Sequence, residues 1–275
     1  MKTTDPTARR EPRGRATTEE AIRLVHVTKR FGDHVVFPDL TLAFLRGRTT
    51  VVLGQSGVGK SIMLKLILGL IKPDGGHIFV DGTDVTNLTE RQLIPIRTRF
   101  GMVFQGAALF DFLTVYENVA FPIREHRRLP EDEIRRIVRA KLALVGMEGT
   151  DDLLPEELSG GMRKRVGLAR AIALDPEAIL YDEPTMGLDP MTADTINELI
   201  LRCQQELQTT SVVVTHDIAS AYRVGDRLIM LYEGRAIADG PTEAIRQHPD
   251  IRVQRFIHGD ADLKAGAPHT GGGIA

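Results

Sequence analysis

The segment Gly54-Gln55-Ser56-Gly57-Val58-Gly59-Lys60-Ser61 sets glycines, a lysine and a hydroxyl at the spacing G-x-x-x-x-G-K-[ST]. These residue types at this spacing suit phosphate binding. Glycines let the backbone turn its N–H groups inward around an anion, and the start of a following helix adds partial positive charge. Lys60 is placed to reach the β and γ phosphates of a nucleotide, and the Ser61 hydroxyl to ligate Mg²⁺. A Gly-rich turn would match the pattern by chance in about one chain per hundred of this length. The apolar run Thr49 to Leu53 reads as a buried strand, and Ser61 to Leu70 as a helix whose one polar position is Lys65. That is the setting the motif requires.

A second pair of chemistry-bearing residues, Asp182 and Glu183, ends the apolar run that starts at Ala178. The carboxyl end of a buried strand is where α/β sheets place ligands. There Asp182 suits a Mg²⁺ shell, and Glu183 could polarise a water that attacks a γ-phosphate. Taken alone, the pair equally fits a strand running into a solvated acidic turn. The loop at Lys60 decides between the two.

The elements that must position these groups follow from apolar patterning. Ile22 to Thr28, His34 to Phe37 and Leu40 to Leu45 read as strands, with turns at Gly32-Asp33 and Pro38-Asp39. Met102 to Phe104, Ala178 to Tyr181 and Val212 to Val214 read as short buried strands. Thr114 to Glu117 is a capping box, and Glu131 to Val145 and Ser159 to Leu174 have helical spacing. Asp189-Pro190 opens another helix, and Leu228 to Leu231 with Arg235 to Ala238 forms a β pair around Glu233-Gly234. Strands alternating with helices predict an α/β fold with a mainly parallel sheet.

The chain has 275 residues, 35 Lys and Arg against 37 Asp and Glu, and one cysteine, Cys203. The near-neutral balance argues against holding nucleic acid by bulk charge. One cysteine excludes an internal disulfide and a Cys-based zinc cage. The most apolar stretch, Ile62 to Ile71, is half the length of a membrane span. Residues 1–20 and 259–275 are expected to be flexible tails.

Between the loop and the acidic pair lies Leu158-Ser159-Gly160-Gly161-Met162, opening a helix rich in Arg and Lys. After the pair come Gly187-Leu188-Asp189 and Thr215-His216-Asp217. With these landmarks in this order, the sequence resembles the ATP-binding subunits of ABC transporters over about residues 21 to 250. The resemblance implies one P-loop NTPase domain over 21–258. It would have a mainly parallel sheet, an antiparallel β subdomain and a helical subdomain inserted at about 105–158. It implies ATP and Mg²⁺ as ligands, with Ser61, Gln105 and Asp182 toward the metal. Lys60, Gln105, Glu183 and His216 are the implied catalytic set, and Phe31 in Lys-Arg-Phe-Gly matches the aromatic that stacks on adenine. Two copies would pair head to tail, so that Ser159, Gly160, Gly161 and Met162 face the partner's ATP and Asp189 crosses the interface.

The family's signature commonly ends in Gln where this chain has Met162. That departure, with the segment Gln105 to His126, is similar to the ATPase of Mla-type systems, which move phospholipid between bacterial membranes. The subgroup resemblance implies a permease meeting residues 105–150 and apolar side chains from Leu109 to Tyr116. It also implies a periplasmic lipid-binding protein of the MCE type, and a site of action on the cytoplasmic side of the inner membrane. Three alternatives are an ATPase for a small polar solute in the same family, a soluble ABC-type ATPase acting on nucleic acid or ribosomes, and a non-hydrolysing regulatory module, which Glu183 and His216 argue against. The second usually needs coiled-coil insertions or two cassettes, and only 99 positions separate Lys60 from Ser159.

Overall fold

The computed structural model describes residues 19–259. The expected tails at 1–18 and 260–275 lie outside the described residues. The chain opens with an antiparallel hairpin, β1 (Glu20–Phe31) and β2 (His34–Leu45), turning at Gly32-Asp33. Pro38-Asp39 is not a turn. It sits inside β2 where the register shifts, and β2 is the edge of its sheet, so a missing N–H breaks no inner ladder. Then come β3 (Thr49–Leu53), α1 (Lys60–Ile67), β4 (Gly75–Val80), β5 (Thr83–Asp84), α2 (Glu90–Arg97) and β6 (Phe100–Val103). Helix α1 stops three residues short of Leu70, because Gly69 turns left-handed at φ 62° and Leu70 points to solvent.

The second half alternates helix and strand: α3 (Val115–His126), α4 (Glu131–Leu144), α5 (Gly160–Ala171), β7 (Ala178–Asp182), α6 (Pro190–Leu207), β8 (Thr210–Thr215) and α7 (Ile218–Val224). It ends with β9 (Arg227–Tyr232), β10 (Arg235–Pro241), α8 (Thr242–Arg246) and α9 (Ile251–His258). Among the described residues no helix is long and apolar enough to cross a membrane.

Two sheets form. One has the order β2-β1-β4-β5 and is antiparallel throughout; the other has the order β10-β9-β3-β8-β7-β6. In the second sheet every pairing is parallel except the edge pair β9–β10. Its central strands are buried on both faces, which is why they read as unbroken apolar runs. Val51 and Leu53 of β3, Ile179 and Tyr181 of β7 and Val213 of β8 face the core shared with α3 to α6. The alternate residues Val52, Leu180, Val212 and Val214 face the core shared with α1 and the antiparallel sheet. A one-residue slip would exchange the two sets, so register is tightly specified.

Parallel pairing brings four strand ends to one edge. Leu53 pairs with Thr215, Asp182 with Val214 and Val103 with Tyr181. The loops that follow β3, β6, β7 and β8 therefore open side by side.

Residues 105–158 carry α3 and α4, which pack with α5 on one apolar cluster. The capping box at Thr114 is formed. Its Oγ1 accepts from Glu117 N at 3.2 Å, and the Glu117 carboxylate accepts from Thr114 N at 2.8 Å. Such a cap is worth about 1 kcal/mol. Asn118, fully buried, donates to the carbonyls of Phe110, Leu113 and Thr114 and accepts from Phe110 N. It fixes the loop that joins the site to α3.

A candidate nucleotide site at the strand ends

The loop between β3 and α1 leaves Gln55, Ser56 and Gly57 exposed and buries Gly59 and Lys60. Gly59 caps α1 at φ 106° with no side-chain cap bond, and a Cβ there would lie 2.7 Å from Phe37 and Val36. Only glycine satisfies both the dihedral and the space. Ser56, Gly57, Gly59, Lys60, Ser61 and Ile62 form one wall of an open cleft of about 340 Å³. Gln105, Glu183, Met186 and His216 form the other.

Lys60 Nζ donates to the carbonyls of Gly54 (2.7 Å) and Gln55 (3.2 Å), and lies 3.2 Å from Glu183 Oε1. A buried ammonium is tolerated here because it is both hydrogen-bonded and paired. The other oxygen of Glu183 accepts from Thr215 Oγ1 (3.1 Å) and His216 N (3.3 Å), and His216 Nδ1 lies 2.9 Å away. Nδ1 is thus taken by Glu183, and Nε2 is the ring atom left for a ligand. Glu183 itself is left-handed, φ 46°, a conformation costing on the order of 1 kcal/mol in a residue with a side chain. It persists because the residue is pinned throughout. Its N–H donates to Val214 O, its carbonyl accepts from Met186 N, and its carboxylate has the partners above.

Ser61 Oγ donates to Asp182 Oδ1 at 2.7 Å. Burial pushes the Asp182 carboxyl above its ordinary value, against the pull of that hydrogen bond. A hydroxyl lining the cleft, hydrogen-bonded to a carboxylate behind it, fits Mg²⁺. That ion takes one or two protein oxygens and completes its octahedron with water and substrate phosphate. No group of three or more Asp, Glu, His or Cys side chains among the described residues forms a self-sufficient metal cage.

The remaining sequence-derived residues fall outside the cleft. Phe31 is half-exposed at the tip of the β1–β2 hairpin with Lys29 Nζ 5.1 Å from its ring centre, so it is not a core aromatic. Ser159 caps α5, its Oγ accepting from Met162 N, and with Gly160 it is exposed. Gly161 is buried, and a Cβ there would meet Thr192 of α6 at 2.5 Å. Met162 lays its side chain on the apolar cluster, which accounts for an apolar residue at that place. Asp189 caps α6, accepting from Met191 N and Thr192 N, and the Thr192 hydroxyl holds its carboxyl below the usual range. The starts of α5 and α6, with exposed Ser159 and Gly160 and the Asp189 cap, thus lie against one another, and none of these residues lines the cleft.

Two residues near the site carry no mark in the motif pattern. Met186 Sδ accepts from Gln105 Nε2 at 3.0 Å. Lys164 reads as one more charge on a basic helix, yet it is only 7% exposed. Its spacing from buried Gly161 and Leu168 on α5 was the available signal.

A strand, a glycine-rich loop, a helix and a carboxylate pair at the neighbouring strand end define a P-loop NTPase. A family model described as "ABC transporter" matches residues 37–186, and the chain belongs to that family as an ATP-hydrolysing ATP-binding subunit. It is 43% identical over 244 residues to the intermembrane phospholipid transport system ATP-binding protein MlaF of Haemophilus influenzae, covering 89% of this chain and 92% of that one. It is equally 43% identical over 258 residues to the probable ribonucleotide transport ATP-binding protein mkl of Mycobacterium tuberculosis, covering 92% of this chain and 71% of that one. Among solved structures, a dimer of the ATP-binding cassette MJ0796 with ADP and Pi superposes at TM-score 0.74. It is 34% identical and covers 80% of this chain and 98% of that one. The cbiO1 subunit of Clostridium perfringens superposes at 0.78 with 30% identity, covering 86% and 95%.

Proposed function

We propose that this ATPase drives a phospholipid permease, working as a head-to-tail pair at the cytoplasmic face of the inner membrane. The observation that carries the lipid reading is the likeness to the Haemophilus influenzae phospholipid-system subunit across nearly the whole length of both chains. Met162 and the Gly106-Ala107-Ala108-Leu109-Phe110 segment add to it.

In this reading ATP lies along the cleft. Lys60 meets the β and γ phosphates with the loop amides, Phe31 stacks on adenine, and His216 Nε2 meets the γ-phosphate. Ser61, Asp182 and Gln105 would hold Mg²⁺ from this chain, and the ion when bound would neutralise phosphate charge. A γ-phosphate competes with Glu183 for Lys60, loosening that carboxylate to orient and polarise the attacking water. One chain's cleft holds no signature residue, and its exposed Ser159–Gly160 faces elsewhere. A second copy supplies the missing helix start, with Asp189 at the same interface.

The permease would meet the helical layer after Gln105. Of the apolar residues from Leu109 to Tyr116, Val115 is wholly buried and Leu109 and Tyr116 pack inward, so they are not free to dock. Phe112 is 79% exposed and half-exposed Phe121 lies on the same aromatic cluster, both rings packing tilted against Phe110. A periplasmic MCE-type protein would complete the transporter. A ribonucleotide cargo is the second reading, on the equal identity to the mycobacterial relative.

Glu183→Gln separates binding from chemistry. It should retain ATP, lose hydrolysis by about 10²- to 10⁴-fold, and elute as an ATP-dependent dimer. Hydrolysis at the wild-type rate would remove Glu183 from its role. Reconstituted with its permease, the wild type should transfer phospholipid between vesicles; uptake of ribonucleotide instead would favour the second reading.

A further inference from the structure

The loop that follows β6 is held down by the face of α5. Arg170 Nη1 and Nη2 donate to the carbonyls of Ala108 (2.7 Å) and Ala107 (2.9 Å). Gly167 lets Ala107 approach so closely that a Cβ would meet it at 3.3 Å. One turn nearer the helix start, Lys164 Nζ donates to the carbonyl of Gln105, and at 3.3 Å to the carbonyl of Glu183. Ala107, Ala108 and Glu183 are all left-handed non-glycine residues, so the carbonyls gathered here belong to backbone that does not hold its shape unaided.

Lys164 is the member of this group that touches two residues of the cleft wall facing the phosphate loop, Gln105 and Glu183. An ammonium buried to this degree is costly unless its donors are used, and here they converge on the main chain of two residues that come from different strand ends. A single charge can accept that geometry where a longer planar guanidinium would not.

We infer that Lys164 is a positioning residue for ATP hydrolysis. It fixes Gln105 and Glu183 relative to one another and ties both to the helix that begins at Ser159. The inference rests on the roles proposed above for Gln105 and Glu183. It adds a mechanical consequence. The start of α5, which is to face the partner's nucleotide, lies one turn from the group that sets this chain's own water-polarising carboxylate. A shift of α5 on engaging the partner's ATP would be transmitted to Glu183 and Gln105 through one side chain.

The test is steady-state ATP hydrolysis and nucleotide affinity, measured with a fluorescent ATP analogue and Mg²⁺, on the full chain. Lys164→Met, which matches the shape and removes the donors, should keep the nucleotide Kd within about threefold of wild type while kcat falls at least about tenfold. Combined with Gln105→Ala, it should lose less than the product of the two single losses, because both act on one arrangement. Lys164→Gln, uncharged and one atom shorter, should fall between wild type and Lys164→Met. Unchanged kcat in Lys164→Met overturns the inference, as does an equal loss of affinity and kcat, or full additivity with Gln105→Ala. If Lys164→Met does not fold, Lys164→Gln decides. Retained affinity with kcat at least about threefold lower supports the role, and unchanged kcat overturns it. Glu183→Gln serves as the control: if it hydrolyses normally, the reading of the site fails rather than the role of Lys164.

Discussion

Ser61 and Asp182 stand 121 positions apart in the chain and share a 2.7 Å hydrogen bond beside the cleft that Ser61 lines. The bond joins the first turn of α1 to the end of β7 and puts the two oxygen donors intended for Mg²⁺ side by side. Asp182→Asn keeps the size and one acceptor but removes the anionic ligand. The Mg²⁺ concentration for half-maximal hydrolysis should rise by at least about tenfold. A titration of hydrolysis against Mg²⁺ reads this, and an unchanged midpoint would take Asp182 out of the metal's shell.

What could be read in advance depended on whether a residue's role was local. The strands β3, β7 and β8 were legible because burial on both faces demands unbroken apolar runs. The phosphate loop was legible because its chemistry is carried by neighbours in sequence. The Gly75–Val80 strand and the helix at Glu90–Arg97 were not assigned. The first opens on two glycines and the second carries Pro95 inside it, both local signals against the element that tertiary packing imposes. Lys164 and Met186 were missed for a different reason. Their partners, Gln105 and Glu183, are distant in sequence, and nothing in the type of a lysine or methionine announces a contact made across the fold.

Cys203 is fully buried in α6, and burial pushes its thiol up to about 12. The thiolate is the reactive form. In the native protein at pH 8 a disulfide reagent should react at least about a thousandfold more slowly than with an exposed cysteine, and in denaturant one thiol per chain should appear. Rapid stoichiometric labelling of the folded protein would mean that α6 opens far more readily than its packing implies.

Asp250 caps α9, accepting from Arg252 N at 2.8 Å and pairing with the Arg252 guanidinium at 2.5 Å. That hydrogen-bonded guanidinium holds its carboxyl down at about 2, below the ordinary 3.8. A lowered folded value means the contribution is full above the unfolded value and is lost as pH falls through the folded one. Asp250→Ala should cost about 1 kcal/mol through the lost cap, seen as a drop in Tm of roughly 2–4 °C between pH 5 and 8. The gap between variant and wild type should narrow from about pH 4 toward pH 2. A gap that stayed constant down to pH 2 would show that the carboxylate's charge is not what the cap uses.

The exposed ring of Phe112 lies outside the catalytic cleft, so it can test the proposed docking surface by itself. A charge at a half-buried neighbour such as Leu109 would disturb the core it packs on, costing several kcal/mol if left unpaired, and would report on folding rather than docking. Phe112 is already in solvent, so Phe112→Asp should leave Tm and nucleotide affinity unchanged within error. Against a permease the same change places a carboxylate in an apolar contact. The expected outcome is loss of co-purification with the permease, and loss of lipid transfer in reconstituted vesicles. Leu109→Asp, run in parallel, should instead lower Tm before any partner is added. A Phe112→Asp protein that still assembles and transfers lipid would move the docking surface away from the loop that Asn118 holds in place.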